Sequence, residues 1–211
     1  MRSVASHHLR TYPQSVHGRT LRYFTLLREP IALWISYVRF FGRLGPNGAR
    51  PAISLREYAE EMLAQPAAAT LGQVNGQTNF IAEHEWFRTQ RDDAVAIDWQ
   101  SDPALFERYR RERLAFAKET LARFDVVGTV ERLSDFTRVL QVRAVAWDIP
   151  LLPIEGLNPT HVTTAAPVDV SWIAPNDSIG RRLLDAFAED FELYRCANER
   201  LAGDAVMTPS A

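Results

Sequence analysis

Two residues in the segment Arg22 to Phe41 have the chemistry to hold an anion together. Arg28 carries a planar fork of donors that matches a phosphate, and Ser36 offers a hydroxyl a little further on. The competing reading is structural. Arg28 would pair with a carboxylate such as Glu29, and Ser36 would fill a helix face. A second group is His7 and His8. An imidazole near its ordinary pKa accepts a hydroxyl proton at neutral pH. As loop residues, the same two histidines would be partly exposed and do no chemistry.

The elements around Arg28 follow from local sequence. Tyr23 to Leu27 is a run of aromatic, β-branched and aliphatic residues, suited to a strand buried on both faces. Pro30 cannot sit in a central strand but fits the first position of a helix, where its missing N–H is not needed. Ile31, Trp34, Ile35 and Val38 then recur at helical spacing, with Ser36, Arg39 and Arg43 on another face. The pattern predicts strand, tight turn and helix, with Arg28 at the carboxyl end of the strand. Ligands of open α/β sheets bind at that end, and free N–H groups of a helix N-terminus attract anions.

The run Leu27-Arg28-Glu29-Pro30, followed by Trp34 and Ser36-Tyr37, resembles the 3′-phosphate-binding segment of sulfotransferases that use 3′-phosphoadenosine 5′-phosphosulfate (PAPS). The likeness is greatest to the carbohydrate branch that includes heparan sulfate 2-O-sulfotransferase and its bacterial relatives. It implies that Arg28 and Ser36 bind the 3′-phosphate of PAPS. Ser6-His7-His8-Leu9-Arg10-Thr11-Tyr12 resembles a family strand ending in Gly-His and an aromatic. The resemblance implies a general base at His8, or at His7 if the frame lies one residue earlier.

Three further segments resemble the family in the same order. Asn75-Gly-Gln77-Thr78 is similar to an Asn-x-Gln-Thr run near the acceptor side of the cleft; here it either meets a sugar or caps a helix. Val127-Gly128-Thr-Val-Glu131-Arg132, within a predicted buried strand from Phe124 to Val130, is similar to a Val-Gly-x-x-Glu-Arg segment. Its expected role is closing the core rather than catalysis. Asp190-Phe-Glu-Leu-Tyr194 resembles an Asp-x-x-Leu-Tyr ending.

Elsewhere the reading is ordinary. Ser54-Leu-Arg-Glu57 is a capping box opening a helix through Leu55, Tyr58, Ala59, Met62 and Leu63. Asp102-Pro103 starts a helix with Tyr109, Phe116 and Leu121 on its apolar face, while Arg108, Arg110, Arg111 and Arg113 form a solvated face. A helix through Phe136, Val139, Leu140, Val145 and Trp147 follows the second strand. Asp177 caps a last helix that buries Leu184, Phe187, Phe191 and Tyr194. His84-Glu85 lacks the second histidine of a zinc-protease motif, since position 88 is Arg, and no metal site is expected.

The 211 residues suit one domain, residues 1–201, with 202–211 as a flexible tail. The expected fold is α/β: a mostly parallel sheet flanked by helices, related to P-loop nucleotide-binding proteins and truncated at its N-terminus. The net charge of −2 argues against a grip on bulk nucleic acid. Cys196 is the only cysteine, so no intrachain disulfide is expected. No apolar run suits a membrane span, and Met1 to His8 is too polar for a signal peptide, which makes the cytoplasm the expected compartment.

The family's strand and Pro-Lys-x-Gly loop, which cradle the 5′-phosphosulfate, have no counterpart before Arg28; the only lysine is Lys118. The resemblance therefore implies transfer of a sulfuryl group from PAPS to a hydroxyl acceptor, a carbohydrate by family precedent, in a form that either begins too late to carry the loop or has lost donor activation. The alternative is a non-catalytic relic that holds a nucleotide, adenosine 3′,5′-bisphosphate, or a partner protein. A nucleotide kinase would need Gly-x-x-x-x-Gly-Lys-[Ser/Thr], which is absent.

Overall fold

A pair of parallel strands sets the frame. Strand β3, Phe24–Leu27, pairs with β4, Val126–Thr129, with Phe24 opposite Val126 and Leu27 opposite Thr129. The computed structural model describes residues 15–16, 19–42, 54–65, 73–82, 103–150 and 169–207. Among them the parallel sheet has two strands, and β1, Ser15–Val16, with β2, Arg19–Thr20, forms a small antiparallel ladder. Helices make up most of the described chain: α1, Pro30–Gly42; α2, Leu55–Ala64; α3, residues 76–82; α4, Pro103–Arg123; α5, Leu133–Ala146; α6, Ser178–Ala186; α7, Ala188–Val206. The α/β expectation holds at that level, as a parallel pair with helices packed against it.

The two strands enter together. The Asp125 carboxylate accepts from the Tyr23 N–H at 2.8 Å and from the Arg22 guanidinium at 3.0 Å, and the Asp125 N–H donates to the Tyr23 carbonyl at 2.8 Å. All four residues of β4 are buried, as a strand covered on both faces requires. Val127 packs among Tyr109, Leu121 and Phe124 with Leu193 and Ala197 of α7. Val126 packs on the opposite side with Phe136, Val139 and Leu140 of α5 and Leu201 and Ala205 of α7. The expectation for β3 needs correction. Phe24 is 56% exposed and Leu26 37%, so this strand buries one face, through Leu27, and not two.

A third apolar cluster joins α1, α2 and α6. Ile31 and Trp34 of α1 meet Leu55, Ala59 and Met62 of α2, with Trp172, Leu183 and Phe187. The helix starts behave as their sequences predict. Pro30 opens α1, and Ser54 and Glu57 form a reciprocal capping box on α2. Asp177 accepts from the Ile179 and Gly180 N–H groups at the start of α6.

Other expectations fail for tertiary reasons. The last helix is broken at Phe187 into α6 and α7. Phe187 is buried as expected, but Leu184, Phe191 and Tyr194 are only partly buried, and Leu183, Leu193, Ala197 and Leu201 are the apolar residues fully buried there. Val145 is 82% exposed, and Ala144 takes the buried position at that end of α5. Arg113 is not on the solvated face of α4. It lies buried, with Nη2 donating to Glu189 at 2.7 Å and Nη1 to Asn79 at 3.1 Å. The tail expected from residue 202 is helical to Val206, because Leu201 and Ala205 are anchored against α5. Among the described residues, no helix is long and apolar enough to cross a membrane.

Candidate functional site

Arg28 and Glu29 form the whole connection between β3 and α1. A turn this short needs its main chain held from outside, and two side chains from distant segments do so. The Gln77 carboxamide bonds the Arg28 main chain twice. Its Oε1 accepts from the Arg28 N–H at 2.8 Å, and its Nε2 donates to the Arg28 carbonyl at 2.9 Å. Glu131, in the 3₁₀ turn that follows β4, accepts from the Glu29 N–H at 3.0 Å through Oε1. Its other oxygen, Oε2, accepts from the Tyr194 hydroxyl at 3.0 Å. Burial, then the charge of Glu131, raises the Tyr194 phenol above its ordinary pKa, against the opposing pull of Asn198.

Asp190 is the buried anchor of this arrangement, at 1% exposure. Its Oδ1 accepts from the Thr78 N–H and the Thr78 hydroxyl, both at 2.7 Å, and its Oδ2 from the Gln77 N–H at 3.3 Å. Those N–H groups belong to the first turn of α3, where no intrahelical acceptor exists. Asp190 therefore caps α3 from another helix. Asn75, just before α3, adopts a left-handed φ of 53°, which asparagine tolerates, and its side chain links the Asp190 N–H to the Ala186 carbonyl. Burial pushes the Asp190 carboxyl above its usual range, against the pull of the Thr78 and Gln77 donors and of the Arg113 charge.

Arg28 and Ser36 are both half-buried, and Arg28 stands where the sequence puts it, at the carboxyl end of the strand. Among the described residues, no ion pair or hydrogen bond engages the Arg28 guanidinium or the Ser36 hydroxyl. Glu29 does not pair with Arg28. Its carboxylate turns to the helix and accepts from the Ala32 N–H at 2.6 Å. One N–H of the first turn of α1 is thus capped by its own chain. Ser36 lies about 9 Å along the helix from Pro30 at 1.5 Å per residue. An anion shared by Arg28 and Ser36 would lie along the flank of α1 rather than on its axis. His7 and His8 lie outside the described residues.

Sequence reasoning did not assign Gln77 or Asp190 a role at this turn. Their partners lie 49 and 112 residues away, at Arg28 and Thr78, and no local pattern encodes such pairs. The Asn75-Gly-Gln77-Thr78 run takes the capping option in the structure, with Asn75, Gln77 and Thr78 all bonded internally. Arg132 likewise serves the fold, with Nη2 donating to Asp135 at 2.7 Å. In comparisons with known proteins, the chain matches no family model, no curated protein and no solved structure.

Proposed function

We propose that the turn at Arg28 is a nucleotide 3′-phosphate site, and that the chain is a sulfotransferase-type domain related in fold to P-loop nucleotide-binding proteins. One observation carries this reading. The four segments that resemble the family, around residues 28–36, 75–82, 126–133 and 190–194, are joined by hydrogen bonds at the carboxyl end of the parallel strands. That end is where open α/β sheets hold ligands. A guanidinium at the same place, without a carboxylate partner among the described residues, suits the 3′-phosphate of PAPS.

In the proposed reaction, an acceptor hydroxyl oxygen attacks the sulfur of PAPS in line. The S–O bond to the 5′-phosphate breaks, and adenosine 3′,5′-bisphosphate leaves with the electron pair. His8 takes the hydroxyl proton. Arg28 and Ser36 hold the nucleotide in place, which supplies rate through positioning. The acceptor class that fits the resemblance is a carbohydrate hydroxyl, in the cytoplasm.

A second reading, a binding module without turnover, is favoured by the Glu29 cap. That carboxylate occupies the Ala32 N–H and places negative charge at the start of α1. Calorimetry with adenosine 3′,5′-bisphosphate tests the donor site common to both readings. Binding is expected, weakened on the order of 10- to 100-fold in Arg28→Ala, the loss for a hydrogen bond to a charged group. No heat with the wild type, or equal affinity in Arg28→Ala, would remove the assignment. Sulfate transfer from PAPS then separates enzyme from binding module.

A further inference from the structure

We propose that Gln77 is a positioning residue for Arg28. It would fix the direction of the guanidinium by clamping the main chain at the strand end, with Asp190 as its buried foundation. This rests on the reading of Arg28 as a phosphate ligand.

The geometry supports a clamp. A carboxamide that accepts from an N–H and donates to the C=O of one residue restricts both torsions of that residue, as a neighbouring strand would. Here the two bonds are 2.8 and 2.9 Å, and they sit one residue past Leu27, the last residue of β3. The partner strand cannot supply them, because the ladder ends at the Leu27–Thr129 pair. Gln77 is itself immobilised from below. Its own N–H and that of Thr78 donate to Asp190, and the Asp190 N–H is held by Asn75. A side chain that reaches a ligand from a fixed main chain loses less freedom on binding than one from a mobile turn.

Nothing in the clamp touches the proposed phosphate directly. The Gln77 amide nitrogen and oxygen each bond the Arg28 main chain, and both bonds are part-buried. Gln77 would thus act on affinity only through Arg28, and this distinguishes it from a ligand.

Two measurements on the full chain test the proposal. The first needs no ligand: hydrogen exchange at the Arg28 amide by NMR. Protection is expected in the wild type and loss of it in Gln77→Ala, with the amides of Val126 and Val127 still protected. A freely exchanging Arg28 amide in the wild type would overturn the clamp. The second is a binding cycle with adenosine 3′,5′-bisphosphate. Gln77→Ala is expected to weaken binding by about tenfold, the size of one neutral hydrogen-bond contribution, and to add nothing in the Arg28→Ala background. An equal loss in both backgrounds would mean that Gln77 does not act through Arg28. Gln77→Glu keeps the shape and the acceptor but turns an anionic oxygen on the Arg28 carbonyl, so it too should weaken binding; wild-type affinity there would sink the idea. If Arg28→Ala itself binds normally, the phosphate assignment fails, while the exchange result still reports on the clamp.

Discussion

Gly128 lies so close to Phe136 that a β-carbon built on residue 128 would come within 2.8 Å of the Phe136 β-carbon. The Phe136 β-carbon is fixed by the backbone of α5, so no rotamer relieves the contact. Glycine in the Val-Gly-Thr strand is thus required by the helix that packs across it. Gly128→Ala should cost about 1–3 kcal/mol, the usual penalty for overpacking a filled core. Urea unfolding of the variant measures it, and an unchanged midpoint would show that α5 can shift aside.

The Asp190 carboxyl predicts an unusual response to acid. Its folded pKa is raised above the ordinary carboxylate value, chiefly by burial. The folded state therefore binds the proton more tightly than the unfolded state does. Its stabilising contribution is fully present below the unfolded pKa and is lost as pH rises through the folded one. Asp190→Asn removes that titration. Wild type minus variant, followed by thermal melts in steps upward from about pH 3, should show stability declining with pH across the carboxylate range and then levelling. A difference that grows with pH would mean that the Thr78 and Gln77 donors outweigh burial.

Arg113 predicts a contrast within one helix. It is 6% exposed and donates to Glu189 through two nitrogens. Arg113→Met should destabilise by about 3 kcal/mol, since it leaves Glu189 and Asn79 with lost partners in a largely buried site. Arg110, exposed and paired with Glu107 on the same helix, should cost less than about 1 kcal/mol when replaced by Ala. Comparable midpoints for the two variants would show that the buried pair adds nothing to the fold.

What the sequence reveals and what it hides divide along contact range. Pro30, the Ser54–Glu57 box and Asp177 mark helix starts through neighbours within three residues, and all three stand in the structure. Strand β4 is legible because a strand buried on both faces needs uncharged, largely apolar residues, as Val126 to Thr129 are. The exposed faces of Phe24 and Leu26 are not legible, since apolar side chains read alike whether or not a layer covers them. The burial of Arg113 depends on a partner 76 residues away. Of the candidate site, the strand–turn–helix and the place of Arg28 follow from local sequence. The Gln77 amide and the Asp190 anchor do not, because their partners lie 49 and 112 residues away. The Glu29 cap is local, but the same carboxylate could equally have met Arg28, and only the folded chain decides between them. Nothing in the local sequence marks the break at Phe187.

The supports of the Arg28–Glu29 connection differ on its two sides. Towards the interior it rests on a carboxamide backed by a nearly inaccessible acid, whereas its outer support, Glu131, stands in solvent and spans from the Glu29 amide to the Tyr194 phenol. Water competes for the outer bonds and not for the anchor beneath. When this corner of the molecule loosens, it should do so from the rim inward, like a door whose latch is exposed and whose hinge is sealed.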